Sequence, residues 1–302
     1  ELAKKLKGRP RHMGTHCGGI VIAPGKITDY VALQRSTKGT VVTQFDMHGI
    51  EKMGLVKIDL LGQRSLTVVA EMVDILKEKY NVNFNCHTMP KMDQRTKVLI
   101  RKGSTMGVFQ IESPGMRGLL KKLKVDSFEM ITAASSVIRP GPADSGMLRH
   151  FVKRHHGKEK VEAVHVSLIE LLKETYGVIV YQDQVLLIVQ RFAGYTLGAA
   201  DTFRKAMGKK VATIMDQEKE TFLRGAEERG YSQQEAAHVF ELIEPFAGYA
   251  FNKAHAVSYA LIAYWTAYFK ANFPIEYMTA VLNQRLSNTE KMAGTIAECH
   301  RM

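Results

Sequence analysis

Between Gly54 and Gly62 the chain reads Gly-Leu-Val-Lys-Ile-Asp-Leu-Leu-Gly, and Lys57 and Asp59 are the only charged residues in it. Residues two apart in a strand face the same side, so the ammonium and the carboxylate share one face. An isolated charge in such apolar company costs several kcal/mol unless it is paired or ligated. Two chemistries fit. Asp59 holds Mg²⁺ in a cleft while Lys57 meets phosphate, or the two form a structural ion pair at a strand end. The motif alone leaves both open.

Four other segments carry cations suited to anions. Gly8-Arg-Pro-Arg-His-Met-Gly-Thr-His-Cys-Gly-Gly19 places Arg9, Arg11 and His16 among glycines, which let backbone N–H groups approach an anion. It is neither a Walker A loop nor a dinucleotide fingerprint, and an ordinary glycine turn also accounts for it. Phe203-Arg-Lys-Ala-Met-Gly-Lys-Lys210 puts four cations into eight residues, Arg204, Lys205, Lys209 and Lys210. The readings are a solvated helix face or a clamp on a triphosphate, where a guanidinium binds two oxygens at once. Phe246-Ala-Gly-Tyr-Ala-Phe-Asn-Lys-Ala-His255 opens a helix, so Asn252, Lys253 and His255 can face phosphate there. Tyr249 and Phe251 either stack on a base or pack in the core. Arg139, in Arg-Pro-Gly-Pro, sits on a stiff turn that suits anion binding or a structural salt bridge.

The whole-chain balance favours a polyanionic partner. Lys and Arg number 42 against 30 Asp and Glu, a net charge of +12 in 302 residues, and nucleic acid is the commoner partner of so basic a surface. Cys17, Cys86 and Cys299 are too few and too dispersed for a disulfide framework, which fits a reducing cytoplasm. Neither Cys86-His87 nor Cys299-His300 has zinc-ligand spacing. No signal peptide is read. The most apolar run, Ala256 to Phe269, is short for a bilayer and flanked by Lys253, His255 and Lys270, so a buried helix is expected and no membrane partner. The chain opens without Met and stops inside a helical pattern from Glu290 to Met302, so a piece of a longer protein is expected.

The elements that must position these residues change along the chain. Gly19 to Ala23 and Leu55 to Leu61 read as buried strands, and Thr40 to Phe45 as a weaker one. From Ser65, apolar residues at helical spacing run to Tyr80, and a polar loop follows to Lys91. From Leu168 onward the pattern is nearly all helix. Ser232 with Glu235 forms a capping box for a helix that Pro245 and Gly248 end, and another helix runs from about His255 to Asn272, before Pro274. Strands first and helices after predict an α+β fold, a small sheet portion carrying a large helical lobe.

Taken in order, these segments resemble the alpha-subunit family of bacterial DNA polymerase III, the C-family replicative polymerases. The matching blocks are His16–Pro24, Gly54–Gly62, Gly107–Ser113, Arg139–Pro142, Thr175–Gln184, Arg204–Lys210 and Phe246–His255, and they span essentially the whole chain. The resemblance implies a small mixed sheet of nucleotidyltransferase type forming the C-terminal part of the palm over 1–64, with the end of the thumb at 1–15 left open. It implies mostly helical fingers over 65–302, truncated at the C-terminus. Asp59 falls on the third palm carboxylate, a catalytic residue and Mg²⁺ ligand, and Lys57 on the lysine that meets the incoming triphosphate. Arg204 and Lys205 fall on an Arg-Arg pair that binds the same phosphates. Arg139, Lys209, Asn252, Lys253 and His255 are assigned to the nucleotide and Arg9, Arg11 and His16 to DNA. Primer-template DNA, dNTPs and two Mg²⁺ ions are the implied ligands, and other replisome subunits, with the sliding clamp, the partners through regions absent here.

Lys205 stands where the family usually has Arg, Cys17 for Ala, Ala254 for Ser and Asp183 for Glu. The family's other two catalytic Asp residues lie in an Asp-X-Asp motif expected upstream of Glu1, and no Asp-X-Asp occurs in this chain. The expected activity is template-directed nucleotidyl transfer, lost in this piece alone. A non-catalytic DNA-binding module and an error-prone paralogue remain as alternatives.

Overall fold

The computed structural model describes residues 4–5, 7–8, 14–138, 146–161, 165–209, 212–247 and 250–302. The chain divides into two compact units, Glu1–Gln63 and Arg64–Met302.

In the first unit, β1 (Gly19–Ile22) pairs antiparallel with β4 (Val56–Asp59), with Gly19 opposite Asp59 and Val21 opposite Lys57. A second ribbon pairs β2 (Leu33–Arg35) with β3 (Val41–Thr43). The expected small mixed sheet is therefore realised as two separate antiparallel ribbons. Helix α1 (Met47–Lys52) is capped by Asp46, whose carboxylate accepts the Gly49 N–H at 2.8 Å. Val31, Ile50 and Leu55 form the buried core, with Val21, Ala23, Ile27 and Leu33 packed against it. The strands expected to be buried are not. Their side chains alternate, and Ile20, Ile22, Val56 and Ile58 lie on an open face, each at least 43% exposed. Apolar runs in β1 and β4 suggest burial on both sides, whereas the hairpin-like ribbon covers only one.

The second unit is helical. Its first core joins α3 (Gln94–Arg101), α4 (Pro114–Leu123), α5 (Phe128–Val137) and α6 (Met147–His155) to α12 (Lys253–Asn272). A second core joins the short α7 (Ile169–Leu172), α8 (Gln182–Ala193), α9 (Leu197–Lys209), α10 (Ala212–Glu227) and α11 (Gln233–Ala247) around Phe192, Phe203, Phe222 and Phe240. A third packs α2 (Arg64–Tyr80) and the end of α12 against α13 (Pro274–Arg285). Helix α14 (Thr289–Arg301) closes the described chain.

The helix expectations hold in detail. The capping box forms, with the Ser232 N–H donating to Glu235 at 2.8 Å and the Glu235 N–H donating to the Ser232 hydroxyl at 3.2 Å. Helix α11 carries Pro245 in its last turn and stops at Ala247, before Gly248. A proline there removes one bond near the helix end, so the helix survives it. Helix α12 buries Ala256, Ala260, Ala263 and Ala267, whose small side chains let neighbouring helices approach. Near its far end Lys270 is 2% exposed. Its ammonium donates to the carbonyls of Ser104 (2.9 Å) and Met106 (2.7 Å) and to Glu298 (2.5 Å). Burial lowers the Lys270 pKa despite this partner.

Two of the blocks that carry the resemblance act as structural fasteners. In Gly107–Ser113, the Glu112 carboxylate accepts the Gly107 N–H and an Arg285 N–H, each at 3.0 Å, tying the turn to α13. In Thr175–Gln184, the buried Gln184 side-chain oxygen accepts the Val180 and Tyr181 N–H groups at 2.8 and 3.0 Å, while its amide donates to the Thr175 hydroxyl at 2.8 Å. Among the described residues, no helix is long and apolar enough to cross a membrane.

Candidate functional site

The carboxylate–lysine pair forms at the end of the β1–β4 ribbon. Lys57 Nζ lies 2.5 Å from Asp59 Oδ1, with the Lys57 side chain 18% exposed and that of Asp59 55% exposed. The hydrogen bond from Lys57 outweighs the opposing effect of burial and, with the charges of Lys57 and His16, holds the Asp59 carboxyl below the usual range. It is therefore ionised at neutral pH. The His16 ring nitrogen Nδ1 accepts the Gly18 N–H at 3.2 Å and lies 3.8 Å from Asp59. Two glycines make this packing possible. A Cβ at Gly18 would fall 2.1 Å from the Leu60 carbonyl oxygen, and one at Gly19 would fall 2.8 Å from Lys57 Cε and 3.0 Å from His16 Nδ1. The register that sets Gly19 opposite Asp59 thus brings His16, Lys57 and Asp59 together.

In the second unit the two predicted phosphate cations of α9 share one acid. Asp201 receives Arg204 Nη2 at 2.9 Å and Lys205 Nζ at 2.7 Å, one turn apart on the same helix. Lys205 first, then Arg204, hold the Asp201 carboxyl below its ordinary range. At the start of α12, the Asn252 side chain caps the helix by accepting the His255 N–H at 2.8 Å. Lys253 donates to both oxygens of Glu174, at 2.7 and 2.8 Å, lies 5.4 Å from the Tyr181 ring centre, and gives its backbone N–H to Asp183 at 3.3 Å. The His255 ring lies 4.0 Å from that of Tyr259. Phe251, half-buried, packs against the first helical core and bridges Tyr181 through its backbone.

The structure brings Lys57, Asp59 and His16 together, Arg204 and Lys205 together, and Asn252, Lys253 and His255 together. Arg9, Arg11, Arg139 and Tyr249 lie outside the described residues, as does the side chain of Lys209. The sequence reading missed the acids. Asp201 was legible, standing three and four residues before the two cations of a helix. Glu174 was not, because 79 residues separate it from Lys253.

Comparison with known proteins fixes the lineage. The family model for the bacterial DNA polymerase III alpha subunit finger domain matches residues 65–230, and that for the bacterial DNA polymerase III alpha NTPase domain matches residues 1–62. The chain belongs to the bacterial DNA polymerase III alpha subunit family. DNA polymerase III subunit alpha of Aquifex aeolicus is 48% identical over 298 residues, covering 99% of this chain and 26% of that protein. The Escherichia coli K12 subunit is 42% identical over 312 residues, covering 100% of this chain and 27% of that protein. That of Pasteurella multocida is 43% identical over 312 residues. The chain thus spans about a quarter of the length of these curated relatives.

As a Mg²⁺ site, the ribbon end of this alpha-subunit chain offers the right donor and too few of them. Asp59 is an ionised, half-exposed oxygen ligand, but no group of three or more metal-ligating side chains occurs among the described residues. Near-octahedral Mg²⁺ needs further oxygens. These residues fit one corner of a metal site and not a whole one.

Proposed function

We propose that this chain is the nucleotide-gripping part of a replicative DNA polymerase, the end of the palm over 1–64 and the fingers over 65–302. In that role it takes part in template-directed transfer of a nucleotide from a dNTP to a primer 3′-hydroxyl, in the cytoplasm, with the sliding clamp and other replisome subunits engaged by regions beyond this chain. The observation that carries the reading is the Lys57–Asp59 pair, in a strand block within the 298 residues that are 48% identical to a DNA polymerase III subunit alpha.

Metal ions, when bound, would stabilise the attacking and leaving oxygens of an in-line displacement. The residues here do the rest. Asp59 stays ionised and offers one ligand oxygen. Lys57 places a positive charge beside it for a phosphate oxygen. Arg204 and Lys205 offer cations to the triphosphate, and a guanidinium meets two oxygens where an ammonium meets one. Before nucleotide arrives, Asp201 and Glu174 neutralise Arg204, Lys205 and Lys253, so the triphosphate must displace these internal acids. Asn252 shapes the first turn of α12, whose N–H groups favour an anion. The one available carboxylate predicts no useful turnover by this chain alone.

The test is extension of a primer-template by a longer chain that supplies the two further carboxylates. Extension dependent on Mg²⁺ and template is expected there, and Asp59→Asn should abolish it without changing the melting temperature by more than a few degrees. Unimpaired extension by Asp59→Asn would remove the catalytic assignment.

A further inference from the structure

The positive charge of this chain is concentrated. Residues 95–160 hold 14 Lys and Arg against 5 Asp and Glu, a net +9 of the chain's +12. That stretch includes none of the cations paired at the candidate nucleotide site. Its basic residues cluster where three helices end: Arg101 and Lys102 at the end of α3, Lys121, Lys122 and Lys124 at the end of α4, and Lys158 and Lys160 just beyond α6.

These three ends are fastened into one surface. Arg117 Nε donates to the Gly103 carbonyl at 2.8 Å, and the Lys121 stem lies over Gly103, 3.0 Å from where a Cβ would stand. A side chain at position 103 would therefore push Lys121 aside. At the other edge, the ring Nε2 atoms of His155 and His156 contact the carbonyl oxygens of Leu123 and Lys122 at 3.0 and 2.7 Å. Two acids lie near this edge: Glu159 is taken by His150 at 2.7 Å and Arg154 at 2.9 Å, and Asp126 acts on His155 and Tyr176.

The remaining cations differ from those of the nucleotide site in one respect. Lys57, Arg204, Lys205 and Lys253 are each ion-paired, whereas Lys102, Lys121, Lys122 and Lys158 are exposed and none forms an ion pair among the described residues. Helix capping does not account for them. A helix C-terminus carries roughly half a negative charge, so three ends balance roughly 1.5 charges, well short of the seven cations named at them.

We propose that this three-helix surface docks the phosphate backbone of duplex DNA, through cations other than those assigned to nucleotide. The aromatic residues of the same stretch decide between duplex and single strand. Phe151 is buried and Phe109 and Phe128 are half-buried, so the described surface offers no exposed Phe, Tyr or Trp ring on which bases stack; the exposed His150 ring is held by Glu159. What remains is charge at backbone spacing, which binds without reading sequence. The inference stands on the charge and the helix ends, and does not require the polymerase reading.

The test measures duplex binding by the 302-residue chain without nucleotide or divalent metal, across a salt series. The variant Lys102→Gln/Lys121→Gln/Lys122→Gln/Lys158→Gln is compared with a control of equal charge loss elsewhere, Lys26→Gln/Lys38→Gln/Lys52→Gln/Lys77→Gln. If each lysine meets one phosphate, the surface variant lowers the slope of log affinity against log salt by about 3 to 4 and weakens binding ten-fold or more at about 0.1 M salt. The control retains most of its slope and affinity. Equal slopes for the two variants overturn the proposal, as expected if the surface instead meets an acidic protein segment. So does tighter binding of single strands than of duplex by the parent chain. Should the quadruple variant not fold by circular dichroism, Lys121→Gln/Lys122→Gln and Lys102→Gln/Lys158→Gln are read separately, each expected to lower the slope by about 2.

Discussion

The two units of this chain keep their candidate side chains in place by different means. Among the described residues of 1–63 three buried side chains, Val31, Ile50 and Leu55, form the core with four partly buried ones against them, and the outer face of the β1–β4 ribbon is open. Lys57 and Asp59 are held there by strand register and by two glycines that admit their neighbours. In residues 64–302 three extensive cores hold the helices, and Arg204, Lys205 and Lys253 are aimed by acids beside them. The first arrangement concentrates dependence on a few contacts and the second distributes it. A small domain buries too little surface to tolerate loss of one large side chain, while a larger one can relax around the gap.

Substitutions can break or sharpen that contrast. The largest loss is expected from Phe222→Ala, which removes the buried ring that meets Phe192, Phe203 and Phe240 and should cost about 3–5 kcal/mol in denaturant unfolding of the helical unit. Unfolding midpoints within error of the parent would show that core to be soft. Ile50→Ala should cost about 2–4 kcal/mol, and the loss should be local. Hydrogen exchange at Lys57, Ile58 and Asp59 should accelerate while the helices of residues 64–302 keep their protection. If both units lose protection together, the contrast between concentrated and distributed dependence fails. Gln184→Leu leaves the buried Val180 and Tyr181 N–H groups without an acceptor and should cost about 1–3 kcal/mol, read as a lower thermal midpoint.

The smallest effect is a pH dependence. Burial alone would raise the Glu298 pKa, but hydrogen bonds from Arg301 and Lys270 overcome it and hold the carboxyl below its ordinary range. A depressed carboxyl stabilises the fold above its unfolded pKa, and that contribution is lost as pH falls through the folded one. Acid titration of stability should therefore be shallower for Glu298→Gln than for the parent, and an unchanged curve would assign the acid sensitivity to other groups.

Much of this was legible in the sequence because it is local. The capping box at Ser232 and Glu235, the helix before Pro274, and the shared face of Lys57 and Asp59 follow from spacing alone. The ribbons were read less well. Apolar runs in Gly19–Ala23 and Leu55–Leu61 suggested strands covered on both sides, and nothing in either run reveals that its partner covers only one. Leu33–Arg35 gave no signal, being three residues with no alternation. Long-range pairings stayed hidden for the same reason. Glu174 meeting Lys253, Gln184 closing on Thr175, and Lys270 reaching Glu298 all depend on where helices cross.

Helix α12 begins at the Asn252 cap and runs 20 residues to Asn272, a rod about 30 Å long. Its tail is pinned, because the Lys270 ammonium grips two carbonyls of the 104–106 turn and the acid of α14. Its head is held too, by Lys253 on Glu174, and Ala256, Ala260, Ala263 and Ala267 are buried along its length. A rod held at both ends moves as one body, so loosening the Lys270 grip is expected to disturb the Asn252 cap about 27 Å away, 18 residues along the axis.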